Sequence, residues 1–374
     1  MAKFQLSKSD LLSRLQVVNK IILSRPTLPI LSNILFEVEG NKLHLSASDL
    51  SGQIKTTIDN VQSDASILFS LESKLLIEAI KTLPEQPLIF EVNEQNSNTV
   101  IKYHGGKFEM VAQAADDSLK IKDVADPVEV EIPLDIFLNG ITKTIGCSAD
   151  DELRPIMNSV FIDAGKGFIN HVASDGKTLA LIEHKDDSLT ETISFALPKK
   201  IASILRSILP SSDTKNIKIF IGTNRVRFEH ESYCIVAQLI EGRFPNYRSV
   251  IPSNNDKSVN VSTATLKSAL NRVLVFSSQT SRLVTFNLSF DSLVVAGQDI
   301  DYSTCADEEI QCEYSGAPFK IGFNGTMLSD LLSSISCSDI TITFSEPTKS
   351  ALIYPTDNND IDRMTCLIMP LAIN

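Results

Sequence analysis

The side chains best able to do chemistry are scattered along this chain. The five histidines (His44, His104, His171, His184 and His230) stand apart from one another, and a lone imidazole more often packs or hydrogen-bonds than ligates a metal or shuttles a proton. Six cysteines (Cys147, Cys234, Cys305, Cys312, Cys337 and Cys366) occur without a CxxC pair. That spacing suits reduced, mostly buried thiols rather than a zinc or disulfide framework. The paired acids Asp150–Asp151, Asp186–Asp187 and Glu308–Glu309 fall in turns or at strand ends, where they read as solvated charges instead of a divalent-cation site. Nucleotide-binding glycine loops, HExxH helices, GxSxG elbows and EF-hand loops do not occur. The glycines of AGKGF lie between two strand-like runs, without the helix that a phosphate cradle uses. The residues therefore name no catalytic group, metal or cofactor.

What positions the side chains is a repeat. KFQLSKSDLLSRLQVVNKII from Lys3, EVEIPLDIFLNGITKTIGC from Glu129 and SVNVSTATLKSALNRVLVF from Ser258 each read as an alternating strand followed by a helix. With Leu6, Ile132 and Val261 as equivalent positions, the spacing is 126 and then 129 residues. A second strand-to-helix junction follows 65, 65 and 62 residues later, at Leu71, Leu197 and Phe323. Apolar stripes at helical steps (Leu11, Leu15, Val18, Ile22; Ile201, Leu205, Ile208) mark the helices. Runs such as LHLSAS, VRFEHE and LVTFNLSF mark strands with one buried face. Linkers are expected near Lys122 to Val128 and Pro252 to Lys257.

The 374 residues are too many for one ordinary core, and with 43% hydrophobic and 21% charged residues every part can fold. The N-terminal MAKFQLSKSDLLSRLQ has no unbroken apolar stretch, so a cytoplasmic protein is expected. The net charge of −12 would repel phosphate if spread evenly. The six predicted helices nevertheless carry eleven basic against five acidic side chains, a charge of +6 that leaves −18 elsewhere. On residues alone, an enzyme using an unrecognised Ser–His pair and a scaffold that never touches DNA both stay open.

At RPTLPILSNILFEV (25–38), DDELRPIMNSVF (150–161), SDGKTLAL (174–181), LIEGRFPNYRSVIP (239–252) and the terminal LIMPLAIN, the sequence closely resembles the bacterial DNA polymerase III beta subunit, the sliding-clamp family. The motifs run in order through all three repeats, and the similarity covers essentially the whole chain. The resemblance implies an α+β DNA-clamp fold in three domains, 1–124, 125–253 and 254–374, each with two helices packed on antiparallel sheets. It further implies a ring-forming homodimer, a processivity factor without catalysis or cofactor, that encircles double-stranded DNA. DNA polymerase subunits and the clamp loader would be taken up through short peptide motifs. A modest positive lining can then attract phosphates while an acidic exterior rejects nonspecific binding.

Carried over motif by motif, the resemblance places a partner-peptide pocket at Met157, Ser174, Gly176, Lys177, Thr178, Leu179, Pro245, Val250, Ser350, Leu367, Ile368, Met369, Pro370 and Leu371. It places a dimer contact at Lys107 and Phe108 on one side, with Val275, Phe276, Glu308 and Glu309 on the other. Phosphate contacts without base specificity are expected at Arg25, Lys81, Arg154, Lys199, Lys200 and Arg206, with no interleaved aromatic for base stacking. The family carries basic residues where Ser249 and Ala372 stand and a His–Arg pair where Lys177–Thr178 stands. The pocket is thus expected to keep its apolar anchors and to meet a peptide's polar ends differently. Pro155 stands where the family often has an aromatic residue, so the Arg154 loop is expected to touch DNA less.

Overall fold

The structure, a computed structural model, describes residues 2–93, 95, 97–151, 153–187, 189–209 and 215–373; Asn374, which ends the last motif, lies outside them. The helices are α1 (Lys8–Val18), α2 (Ser73–Lys81), α3 (Leu134–Thr144), α4 (Lys199–Ile208), the short α5 (Tyr247–Val250), α6 (Thr263–Leu274) and α7 (Gly325–Ser333). At all six expected junctions a strand runs directly into a helix: Ala2–Ser7, Val128–Pro133 and Lys257–Ser262 into α1, α3 and α6, and Ile67–Glu72, Ile193–Pro198 and Phe319–Asn324 into α2, α4 and α7. A side chain at the strand end caps the helix in several of them. Ser7 accepts from the Asp10 N–H (3.3 Å), Glu72 from those of Lys74 and Leu75 (3.1 and 2.7 Å), and Asn324 from that of Met327 (3.0 Å). These bonds occupy donors that the first helical turn leaves without a partner.

The chain divides into two compact units, Met1–Leu134 with Ile204–Leu239, and Asp135–Ser203 with Ile240–Asn374. The first unit holds a five-stranded antiparallel sheet ordered Gln62–Ser63, Ala2–Ser7, Pro87–Asn93, Asn98–Tyr103, Gly106–Val111. Its eight-stranded sheet is ordered Val128–Pro133, Asn216–Ile221, Arg225–His230, Tyr233–Gln238, Gly52–Ile58, Lys42–Ser48, Asn33–Glu39, Ile67–Glu72. The second unit holds an eight-stranded sheet ordered Ile193–Pro198, Ser159–Gly165, Phe168–Ser174, Thr178–His184, Asp362–Ile368, Ala351–Pro355, Asp339–Phe344, Lys257–Ser262. Its four-stranded sheet runs Thr304–Gln311, Ser292–Asp299, Leu283–Ser289, Phe319–Asn324. Both expected linkers lack regular structure up to their last residues, Val128 and Lys257, which open strands, and each is bridged by an eight-stranded sheet that pairs strands from either side of it. Helices pack on the sheets through their apolar stripes: Leu11, Leu15 and Val18 of α1, and Leu266, Leu270 and Val273 of α6, are all fully buried.

Three expectations need correction. Helix α1 ends at Val18 with Asn19 as its cap, so the stripe does not continue to Ile22; the turn brings Ile21 into the core and leaves Ile22 half-buried. In Lys42–Ser48 the second face, exposed at Lys42 and half-buried at His44, is buried from Ser46 on, because the segment before the first linker lies over it and Ser46 donates to the Leu119 carbonyl (3.0 Å). Of the six thiols, all free, only Cys147 and Cys366 are buried, and Cys305 is exposed because it lies on an edge strand. Among the described residues no helix is long and apolar enough to cross a membrane.

Candidate functional site

In the second unit, pleat and register decide which predicted pocket residues meet. Thr178–His184 pairs antiparallel with Asp362–Ile368, putting Leu179 opposite Leu367 and Thr178 opposite Ile368. Because side chains alternate across a sheet, Leu179 and Leu367 share one face with Val172, Leu181 and Leu352. Phe244 and Tyr247 close over that face, and Ile156, Phe161, Ile251 and Tyr354 pack at its margin. Thr178 and Ile368, expected in the same pocket, therefore direct their side chains to the opposite face. Val250 and Met369, each about half exposed, flank the patch in sequence, and Pro245 is exposed.

The loop beside this patch is set by one aspartate. Asp175 Oδ1 accepts from the N–H groups of Lys177 (2.7 Å) and Thr178 (2.6 Å), while the Ser174 hydroxyl donates to the Thr178 carbonyl (2.7 Å). Gly176 takes φ +89° in that turn, a conformation costly for residues with a side chain. The Met369 N–H donates to the Lys177 carbonyl (2.9 Å) and the Leu371 N–H to the Gly322 carbonyl (2.8 Å). Pro370, with no N–H to give, sits between them. Met157 and Ser350 are half-buried. A cleft of about 590 Å³ opens beside Lys177 and Thr178, lined also by Arg154, Arg282, Asn324, Met327 and the acids Asp150, Asp151, Asp175 and Asp330.

Sequence reasoning missed the aromatic wall of the patch. Phe161 stacks on Phe244 (centroids 4.7 Å, 5° between planes). The Tyr247 hydroxyl donates to Asp163 Oδ2 (2.8 Å) and accepts from Asn170 Nδ2 (3.2 Å), and burial, with Asp163 adding, raises its pKa. Phe244 and Tyr247 stand inside LIEGRFPNYRSVIP, three residues apart, and Phe161 ends DDELRPIMNSVF. That spacing was the available signal.

The predicted phosphate contacts fall into two groups. Arg206 is exposed on α4 and shares with the half-buried Lys199 the side opposite the buried Ile201, Leu205 and Ile208, while Lys200, also half-buried, stands at the flank. Lys199 is already engaged, 2.8 Å from Asp150 and donating to the Ser148 carbonyl at 3.1 Å. Arg154 is likewise paired with Asp151 (2.8 Å). Arg25, and Lys81 at the end of α2, are exposed.

The predicted dimer residues lie on or beside open sheet edges. Lys107 and Phe108 belong to Gly106–Val111, the edge of the five-stranded sheet, where Phe108 packs on Tyr103 (4.8 Å) and Lys107 pairs with Glu109. Glu308 and Glu309 belong to Thr304–Gln311, the edge of the four-stranded sheet. Glu308 is held by Arg272 of α6 (Nε to Oε2 2.7 Å), and Glu309 accepts from the Ser292 hydroxyl (2.6 Å). Val275 and Phe276, just after α6, are 72% and 42% exposed.

Three family models match in succession: the N-terminal domain of the DNA polymerase III beta subunit at residues 2–121, its central domain at 131–246 and its C-terminal domain at 248–372. The chain belongs to the DNA polymerase III beta subunit family. Curated relatives of this beta subunit include the beta sliding clamps of Haemophilus influenzae, 26% identical over 371 residues (99% of this chain, 100% of the relative), and of Escherichia coli K12, 26% identical over 351 residues (94% and 95%). A DnaN sliding clamp from Pseudomonas aeruginosa bound to griselimycin superposes with a TM-score of 0.92 at 26% identity, with both chains covered in full. The beta subunit from Thermotoga maritima shares the fold at a TM-score of 0.92 and 24% identity, again over both whole chains. This beta-subunit chain is a DNA sliding clamp, a processivity factor that binds DNA and DNA polymerases and is not an enzyme.

Proposed function

We propose that two copies of the chain, each built of three clamp domains (1–124, 125–253 and 254–374), join head to tail as a closed ring around duplex DNA in the cytoplasm. The observation that carries this reading is a matched pair of open edges. Twice within the chain, the third strand of one repeat's sheet pairs with the last strand of the next repeat. Thr56 lies opposite Tyr233 in the first unit and Ile182 opposite Met364 in the second. Tracing strand partners through each sheet makes Thr56, Ile182 and Glu308 equivalent, and likewise Tyr233, Met364 and Gly106. The two internal junctions thus share one register.

The strands left over, Gly106–Val111 and Thr304–Gln311, are the two that would make the third such junction. Unpaired N–H and C=O groups along an edge favour pairing. The same register sets Gly106 opposite the partner's Glu308, Lys107 opposite the partner's Asp307, Phe108 opposite the partner's Ala306 and Glu109 opposite the partner's Cys305. The Lys107–Asp307 pair joins opposite charges, which steers association and orientation more than it adds affinity.

Within the ring, the exposed Arg25, Lys81 and Arg206 attract phosphates without reading bases, while Lys200, half-buried, and Arg154 and Lys199, ion-paired within the chain, contribute less. Retention is topological. The half-exposed Val250 and Met369, at the margin of the buried cluster around Leu179, Leu367 and Phe244, take the short apolar motifs of polymerases and of the clamp loader, since apolar anchors with a few polar groups suit such a ligand. The test is polymerase extension on primed circular DNA with a clamp loader and ATP. Long products that vanish when the template is linearised and has free ends support the ring, and unchanged product length with and without the chain overturns it.

A further inference from the structure

The turn entering the third strand of every repeat is built on one device, an aspartate whose Oδ1 accepts from two following N–H groups. Asp49 serves Ser51 and Gly52 (both 2.7 Å), Asp175 serves Lys177 and Thr178 (2.7 and 2.6 Å), and Asp299 serves Asp301 and Tyr302 (3.0 and 3.3 Å). Asp49 and Asp175 stand three residues before the strands that open at Gly52 and Thr178, whereas Asp299 stands five before the strand at Thr304. The third turn is longer by two residues. It presents Ile300 and Tyr302, 79% and 77% exposed, where its counterparts carry Leu50, Ser51, Gly176 and Lys177.

In both shorter turns the carbonyl just before the strand closes the sheet junction. Ser51 accepts the Gln238 N–H (2.8 Å) and Lys177 accepts the Met369 N–H (2.9 Å). Gln238 and Met369 stand five residues after Tyr233 and Met364, and the residue five after Gly106 is Val111. Val111 ends the open edge strand and is 74% exposed.

We propose that the lengthened turn Asp299–Thr304 is a clasp, in which Ile300 and Tyr302 close over Val111 of the partner subunit while the Ser303 carbonyl accepts its N–H. The inference rests on the dimer reading above and goes beyond it, because neither Ile300, Tyr302 nor Val111 belongs to the contact that the family motifs indicate. Its partner is a second copy of this chain: the two internal junctions supply the register, and the exposed apolar groups fall at matching positions on two otherwise unpaired edges. Tyrosine suits such a rim, with a ring to bury and a hydroxyl to leave in water.

The experiment has two arms on the full-length chain. Glu109→Cys, placed opposite the partner's Cys305, should yield a covalent dimer under mild oxidation, while Lys107→Cys, facing Asp307, should not. In a dilution series by sedimentation, Ile300→Ser with Tyr302→Ser should raise the dimer dissociation constant on the order of tenfold or more, as should Val111→Ser. Combining all three should raise it by clearly less than the product, since residues in contact are not additive. Circular dichroism and melting confirm that these surface variants are folded. Cross-linking as expected together with a dissociation constant that the turn variants leave unmoved, or effects that multiply independently, overturns the clasp and leaves the dimer standing. A chain that stays monomeric at every concentration overturns both.

Discussion

Replacing Lys199, Lys200 and Arg206 with alanine tests whether α4 faces DNA. The structure ranks the three. Arg206 is exposed, Lys200 is half-buried, and the Lys199 ammonium lies 2.8 Å from Asp150 and so is already neutralised. Each phosphate neutralised contributes about 0.9 to the slope of log affinity against log salt. Arg206, the exposed one, therefore accounts for about 0.9, and a fourfold rise in salt should weaken the unmodified clamp about three- to fourfold more than the variant. Lys199 adds little to the slope. The measurement is fluorescence anisotropy of a labelled short duplex titrated with clamp across a salt series, with dimerisation followed by sedimentation and peptide binding measured alongside. Equal slopes for the two proteins, with the dimer and peptide binding intact, would refute the DNA-facing assignment of α4 without touching the ring.

Deleting Met369 to Asn374 removes the Met369 and Leu371 backbone bonds together with the exposed Met369 side chain, and should lower affinity for a polymerase-tail peptide at least about tenfold; the milder Met369→Asp should lower it too, and intact affinity in both would remove the pocket from this face. Tyr247→Phe strips a partner from Asp163 and from the buried Asn170 amide and should cost about 1–2 kcal/mol, read as a fall of a few degrees in Tm without loss of helix or sheet signal. His171 is fully buried beside Phe137 and Gly140, and that burial, with His184 adding, pushes its pKa from 6.5 down to about 3. The unfolded chain binds this proton below pH 6.5 and the folded chain does not until about pH 3, so the stability it confers is complete above 6.5 and declines as pH falls through that window. Urea unfolding of the unmodified chain should thus lose about 2 kcal/mol from this group between pH 7 and pH 5, and His171→Leu should show that much less pH dependence.

Local order was legible in the residues. The six strand-to-helix junctions follow from a switch between two-residue and 3.6-residue apolar periods, and side chains such as Ser7 and Asn324 cap their helices using only neighbours in sequence. The motifs that mark the family are local as well, and Leu179, Leu367 and the motif around Phe244 and Tyr247 stand inside them. Where the sequence misjudged, a distant partner intervened. Ile368 and Leu367 are equally apolar, and only pairing with Thr178 and Leu179 assigns them opposite faces. Lys199 reads as a free cation until the fold brings Asp150 to it across 49 residues. Which strand edges join, Gly52–Ile58 to Tyr233–Gln238 and Thr178–His184 to Asp362–Ile368, and which stay open at Gly106–Val111 and Thr304–Gln311, was decided by tertiary structure alone. The physical reason is that every strand offers the same row of backbone donors and acceptors, so partner and register are chosen by what the folded chain brings alongside.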